Sequence, residues 1–334
     1  MGYIGSHTAV ELIQSGYEVV IIDNLANSER DVLKGIKKIV GYEPIFEEID
    51  LVNQEDTLAV FKKHKDAMGI IHFAAFKAVG ESVENPGMYF KNNILGLVHV
   101  LEGMEQNTIP NLIFSSSCTV YGEPDLLPVT EQTPTKKASS PYGATKQICE
   151  ELLQAEVAAK NVLKVISLRY FNPVGAHSSG YIGELPIGVP ANLMPYLTQT
   201  AIGIREYLSV YGSDYNTVDG TAIRDYIHVV DLAKAHLAAL KSLETKEEIT
   251  SYEVYNIGAG KGYSVLEVIQ AFERATNQKI IYKLVERRAG DVEAVYANAD
   301  LAKEKLQWTA KLDLESMCKS AYDWEKGYRE RLVD

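Results

Sequence analysis

Five short β-branched runs alternate with helical stretches through the first half of this chain, and no other feature narrows its fold so much. The runs are EVVIID (18–23), PIFEEID (44–50), GIIHFA (69–74), NLIFSSS (111–117) and KVISLRY (164–170). Helical patterns lie between them, the longest at 83–106 and 142–160, and another over 4–15 stops at Gly16. Adjacent parallel strands cannot be joined by a tight turn, because each pair needs a crossover long enough for a helix. Strands separated by helices therefore imply a doubly wound α/β domain, a parallel sheet with helices on both faces.

After Tyr170 the pattern changes. FNPVGAHSSGYIGELPIGVP is rich in Gly, Pro and Ser, lacks periodicity and reads as a long loop, which in a compact protein is more often functional than idle. Helices follow near 192–204, 230–244, 264–276 and 313–328, with LSVYG, DYIHV and EVYNI as strands. The expected organisation is a sheet domain over 1–171, a smaller mixed α/β domain over 172–334, and a ligand cleft between them. With 334 residues there is chain enough for both cores. A net charge of −12 argues against a general nucleic-acid surface. No apolar run approaches the ~18 residues of a membrane span and no signal peptide is visible, so a cytoplasmic protein without a membrane partner is expected. Cys118, Cys149 and Cys318 are odd in number and far apart, which fits a reducing compartment better than a zinc site or disulfide framework.

Two clusters carry chemistry. Gly2-Tyr3-Ile4-Gly5 opens the 4–15 helix, and Asp23 closes the next strand about 20 residues on. Glycines let a pyrophosphate approach the helix N-terminus, and an acidic residue at that distance accepts hydrogen bonds from the adenosine ribose. A free carboxylate there repels a 2′-phosphate, which favours NAD over NADP. Two glycines before a helix also suit an ordinary helix-starting turn; Asp23 and the α/β pattern weigh for the dinucleotide. The second cluster is SSPYGATK, where Tyr142 and Lys146 lie four apart and share a helix face. A cation beside a phenol stabilises phenolate. Bringing a tyrosine from about 10 to about 7 requires roughly 4 kcal/mol, which a lysine and a positive nicotinamide together can supply. The same spacing recurs at Tyr322 and Lys326, so context must separate the pairs. Tyr142 follows FSSSCTVYG, whose Ser117 ends a strand, where ligands bind in such sheets. Tyr322 lies on the last helix with no such strand before it. His72, His177 and His228 show no ligand spacing, and no metal is expected.

The ordered motifs GYIGSH, DNLANS, HFAAFKAVGES, FSSSCTVYG, SPYGATK, LRYFNPVGAH, NLMPY, RDYIHVVDLA, YNIGAG and RRAGD resemble the UDP-hexose 4-epimerases of the extended short-chain dehydrogenase/reductase family. The resemblance runs from Gly2 to the last helices. It implies a Rossmann-type sheet, bound NAD, a UDP-hexose substrate, and a homodimer packed through the helices near 83–106 and 142–160. By the same resemblance, Tyr142 removes the sugar 4-hydroxyl proton, Lys146 lowers the Tyr142 pKa and binds the nicotinamide ribose, and Ser117 hydrogen-bonds the reacting oxygen. Hydride leaves carbon 4 for NAD, the 4-keto sugar turns over, and hydride returns to the other face, interconverting glucose and galactose epimers. Matched cofactor positions are Gly2, Tyr3, Ile4, Gly5, Asp23, Asn24, Asp50, Leu51, Lys77, Asn92 and Tyr170, beside Tyr142 and Lys146. Matched UDP-sugar positions are Ser117, Asn172, Asn192, Arg224, Arg288 and Asp291. Two arginines suit a diphosphate because their fork of donors matches its oxygens. Val295, four residues after Asp291, matches a wall near the sugar 2-substituent, where a small side chain leaves space for an N-acetyl group.

Rival readings are weaker. A nucleotide-sugar 4,6-dehydratase of the same fold carries Asp-Glu after a Thr, where this chain has Ser117-Cys118 and no acid to expel water. A non-catalytic NAD sensor on a reductase scaffold has no use for an intact Ser117, Tyr142 and Lys146. The resemblance also implies a strand and Gly-Gly-x before GYIGSH, with Met1 at the x position and about eight residues absent. That strand is buried on both faces. Losing about four large apolar side chains at 1.5–3 kcal/mol each removes roughly 6–12 kcal/mol, against a typical total of about 5–15 kcal/mol. The expectation is a fragment or a misassigned start, with weak NAD binding and low stability from Met1 onward. Strands 18–23 and 69–74 should then stand two spacings apart, ~9.6 Å, instead of pairing.

Overall fold

The computed structural model describes residues 1–332 apart from 161, 246–250 and 289. The first half runs α1 (Tyr3–Gln14), β1 (Val20–Asp23), α2 (Val32–Val40), β2 (Ile45–Glu48), α3 (Gln54–Lys63), β3 (Ile70–His72), α4 (Val79–Glu84), α5 (Pro86–Phe90), α6 (Gly96–Gln106), β4 (Asn111–Ser117), α7 (Pro141–Ala159) and β5 (Lys164–Tyr170). The second half runs β6 (Asn172–Val174), α8 (Leu193–Ala201), β7 (Leu208–Tyr211), β8 (Ile223–His228), α9 (Val229–Thr245), β9 (Ser251–Ile257), β10 (Gly262–Ser264), α10 (Val265–Thr276), β11 (Tyr282–Val285), β12 (Ala294–Val295), α11 (Asp300–Leu306) and α12 (Leu314–Arg331).

The strands β3–β4–β5–β9 form one parallel sheet and β1–β2 another parallel pair, the doubly wound layout expected. All seven residues of β4 are buried, because helices cover both faces. Side chains alternate across a strand. Leu112 and Phe114 therefore face Leu97, Met104 and Leu153 of α6 and α7, while Ile113 faces Leu232, Ala239 and Leu243 of α9. Each such large apolar side chain contributes about 1.5–3 kcal/mol on burial. Among the described residues β1 pairs only with β2, and β3 only with β4. Among the described residues, β1 and β3 are therefore not direct partners. Met1 packs with Ala9, Val10, Ile13 and Ile21.

The second half shares in the first sheet, since β9 extends it beyond β5 and α9 covers one face. Its remaining strands make a mixed sheet, β10–β8–β12 with β6 also on β8, and a parallel pair β7–β11. Val174, Met194, Leu208, Tyr226, Phe272 and Met317 form the core beneath α8, α10 and α12. One helix departs from expectation. The stretch 83–106 is broken at Pro86, which lacks the N–H needed to continue α4. Lys91–Leu95 is then a π turn leading into α6. Such turns recur at functional sites, and this one carries Asn92 and Asn93. Among the described residues no helix is long and apolar enough to cross a membrane.

Candidate active site

Pro141 suits the first turn of α7, where its missing N–H would be unpaired in any case. Ser140 caps that turn by accepting from Gly143 N at 3.2 Å. Tyr142 thus sits in the first turn and Lys146 one turn on, with α7 packed against β4, whose last residue is Ser117. Lys146 is buried. Its Nζ donates to Ser115 O at 2.5 Å, lies 4.8 Å from the Phe114 ring centre and 5.9 Å from that of Tyr142. Ser117 Oγ accepts from Thr119 N at 3.2 Å and Thr119 Oγ1 at 3.0 Å. Burial pushes the Tyr142 phenol up to about 12, with the Ser117 hydroxyl pulling the other way. Burial also lowers Lys146 to about 8, opposed by Cys149 and Glu150. The end of β4 and the first turns of α7 bring the three residues together, and the phenol stands above its ordinary value because it is buried. The competing tyrosine, Tyr322, packs edge-on against Phe272 at 5.9 Å in the second core.

At the dinucleotide turn, α1 starts at Tyr3 with Gly2 as N-cap, no side-chain cap and no acidic residue in its first turn. A Cβ on Gly2 would meet nothing within 4 Å, so this helix end stays approachable to an anion. Gly5 faces the Phe73 ring. Asp23 Oδ1 accepts from Leu25 N at 2.7 Å and Ser28 Oγ at 2.8 Å, and Oδ2 lies 2.9 Å from the Met1 ammonium. An uncapped helix start offers N–H donors to a pyrophosphate and the carboxylate at the neighbouring strand end can accept from ribose hydroxyls, so these residues fit NAD. Asn24 and Asp50 are exposed turn-formers, accepting from Ala26 N at 3.0 Å and Val52 N at 2.9 Å. Leu51 O accepts from His99 Nδ1 at 2.8 Å. Tyr3 donates to Gly175 O at 2.6 Å, and Ile4 packs on the sheet core. Asn92 donates to Asn93 Oδ1 at 3.0 Å. The Tyr170 hydroxyl is bonded to His236, whose ring lies 4.8 Å from that of Phe73.

Of the UDP-sugar candidates, Asn172, Arg224 and Val295 lie on β6, β8 and β12, while Asn192, Arg288 and Asp291 lie outside strands. Arg224 on β8 and Arg288 converge on Asp291, whose Oδ1 lies 3.9 Å from Arg224 Nη2 and 2.9 Å from Arg288 Nη2. Asn192 begins α8 and donates at 2.7 Å to Glu184 Oε1, which also lies 3.5 Å from Lys77 Nζ. Asn172 pairs with Tyr226 across β6–β8. Val295 stands opposite Arg224 across β8–β12, buried among Val120, Tyr121, Phe171 and Ala297.

Several participants were not legible in the sequence. Asn93 accepts from Phe76 N at 2.8 Å and donates to Phe76 O at 3.0 Å and Thr145 Oγ1 at 3.1 Å, tying the segment after β3 to α7 beside Lys146. Asp225, next to Arg224, accepts from Ala259 N, Gly260 N and Ala297 N at 2.8, 3.0 and 3.1 Å. A Cβ at Gly258 would lie 2.5 Å from its carboxylate, which accounts for the glycine. His7 Nε2 accepts from His177 N at 3.1 Å and its Nδ1 donates to Tyr3 O at 2.7 Å, so the ring is neutral and staples α1 to the loop after β6.

Burial lowers His7 and His72 to about 3, and His228 and His236 to about 4. A group held below its unfolded value of 6.5 favours folding fully above 6.5 and loses that contribution as pH falls towards the folded value. Each ring therefore removes about 1.4 kcal/mol per pH unit in that window. Burial lowers His177 as well, while Asp225, pushed up to about 6, and Glu11 and Glu131, raised by burial, act in the opposite direction. The urea midpoint should drop markedly between pH 7 and pH 5.5; equal midpoints would show that the rings are not held neutral.

A glycine turn ahead of a helix, and a Tyr-Lys helix against a strand ending in serine, on a doubly wound parallel sheet, define a short-chain dehydrogenase/reductase site on a Rossmann-type fold. The family profile described as GDP-mannose 4,6 dehydratase matches residues 1–321. The UDP-glucose 4-epimerase of Pongo abelii is 50% identical over 331 residues, covering 97% of this chain and 94% of the relative. The crystal structure of the Stenotrophomonas maltophila UDP-glucose-4-epimerase, with bound NAD and formylated UDP-arabinopyranose, matches at TM-score 0.95 and 44% identity, over 99% and 97% of the two chains. That of Bifidobacterium longum, in complex with NAD+ and UDP, matches at TM-score 0.94 and 43% identity, over 98% and 96%. The chain belongs to the UDP-glucose 4-epimerase family.

Proposed function

We propose that this protein interconverts UDP-glucose and UDP-galactose, with residues 1–171 holding NAD and residues 172–334 holding the UDP-sugar. The meeting of Ser117, Tyr142 and Lys146 at the end of β4 carries this reading. Bound NAD supplies an acceptor for the carbon-4 hydride, which it later returns, and a positive charge beside Tyr142. Tyr142 takes the 4-hydroxyl proton and gives it back, while Ser117 holds the reacting oxygen. A phenol at about 12 needs roughly 7 kcal/mol to become a base near neutral pH. Lys146 supplies more of this if its ammonium turns from Ser115 O towards the ring. Arg224 and Arg288 leave Asp291 for the diphosphate, whose oxygens suit two guanidinium forks. Cys118 stands where a dehydratase carries its acid, and its thiol, pushed up to about 11 by burial, is a poor proton donor.

Val295 leaves the wall near the sugar 2-substituent small, so N-acetylated UDP-hexoses are substrates as well. The roles carry the protein into galactose metabolism and nucleotide-sugar supply. Free Cys118, Cys149 and Cys318 suit a cytoplasmic location. Exposed Met88 on α5 and Ile148 on α7 support a homodimer through those helices. The test is a product assay with NAD present and UDP-glucose or UDP-N-acetylglucosamine as substrate. Galactose and N-acetylgalactosamine epimers are expected; no conversion of UDP-glucose would overturn the function.

A further inference from the structure

Beneath the site lies a buried polar chain that the reaction as proposed does not use. Ser116, Arg169 and Asn256 are register partners across β4, β5 and β9 and so share one face of the sheet. Glu150, four residues beyond Lys146 on α7, accepts from Ser116 Oγ, from Arg169 Nε at 3.0 Å and from Arg169 Nη2 at 2.6 Å. Arg169 Nη1 donates to Tyr121 Oη at 3.0 Å, and Tyr121 donates to Asn256 Oδ1 at 2.6 Å. All five side chains are buried. A buried Arg–Glu pair is a poor stabiliser, since well-packed apolar residues of like volume often do as well or better. Its ordered geometry therefore calls for a different explanation.

We propose that Glu150 is a positioning residue, which docks α7 on the strand ends carrying Ser115, Ser116 and Ser117 and supplies the anionic counter-charge for Lys146. Lys146 and Glu150 lie one turn apart on the same helix face. Lys146 bonds Ser115 O, and Glu150 bonds the side chain of the very next residue. The titratable groups around the two are Tyr142 and Cys149 on α7, His72 on β3, Arg169 on β5, Tyr121 after β4 and Tyr252 on β9. Burial keeps the His72 ring, the Cys149 thiol and the three phenols neutral at pH 7. Glu131 is engaged with the Asn256 amide at 2.7 Å. Glu150 is thus the carboxylate that faces Lys146.

The inference rests on Lys146 acting as proposed, and two readouts separate its failure from failure of that reading. Lysine-labelled NMR of the full chain, with Lys146 assigned through Lys146→Arg, follows the ammonium directly. The pH profile of kcat follows its use. In Glu150→Gln the Lys146 titration should move down by about one unit or more. The alkaline limb of kcat should follow it, giving an about fivefold lower kcat at pH 8 with KM for the UDP-sugar little changed. Where Glu150→Gln does not fold, Glu150→Met/Arg169→Met removes the pair together and leaves Lys146 without its counter-charge; the Lys146 titration should again move down, by less because the Arg169 repulsion is gone as well. An unchanged Lys146 titration in the folded variant overturns the inference. A shifted titration in a protein whose parent does not epimerise leaves it standing and overturns the function instead.

Discussion

Tyr142→Phe should abolish most turnover, by about 100- to 10,000-fold in kcat, while leaving the fold and UDP-sugar binding in place. The substitution removes one oxygen from a half-buried ring in the first turn of α7 and disturbs neither the Ser140 cap nor the Lys146 bond to Ser115. What disappears is the proposed proton acceptor, whose loss would be felt in the transition state and not in the ground state, so kcat should fall without a rise in KM. Tyr322→Phe is the matched control. That ring packs on Phe272 in the second core, and its loss of a hydroxyl should leave activity near normal. Steady-state kinetics on both variants decide the assignment. If they behaved alike, Tyr142 would not be the base.

Val295→Tyr should selectively remove turnover of UDP-N-acetylglucosamine, by about 100-fold, and leave UDP-glucose turnover within a few-fold of the parent. Val295 faces Phe171, Val120 and Tyr121 and stands opposite Arg224, the expected diphosphate ligand. A phenol ring there fills the space an N-acetyl group would take, whereas a 2-hydroxyl still fits. Overpacking at a buried site costs about 1–3 kcal/mol, so the thermal midpoint must be measured alongside. Equal losses on both substrates with a lowered midpoint would mean a disrupted core and no specificity wall. Failure of the parent to convert N-acetylated sugars would remove the premise.

Local pattern alone determined the doubly wound sheet. The alternation of β-branched runs and helices limited the connections to parallel crossovers, and β4 and β5 lie at 111–117 and 164–170, where their periodicity placed them. The Tyr142/Lys146 helix was also legible, because a fixed spacing on one helix needs no tertiary information. The break at Pro86 could have been read from the proline, but the π turn at Lys91–Leu95 could not. The FSSSCTVYG run before Tyr142 favoured it over Tyr322, and the fold sets α7 against the end of β4 while Tyr322 packs in the second core. Only the three-dimensional arrangement decided the charges. Nothing in SPYGATK says that Lys146 is drawn to the Ser115 carbonyl, or that burial holds the Tyr142 phenol at about 12. Asn93, Asp225 and the Glu150–Arg169 pair have partners far off in sequence, so no local window could show them. Spacing along a helix or strand fixes which side chains share a face, whereas hydrogen bonds and desolvation depend on which faces the fold brings together.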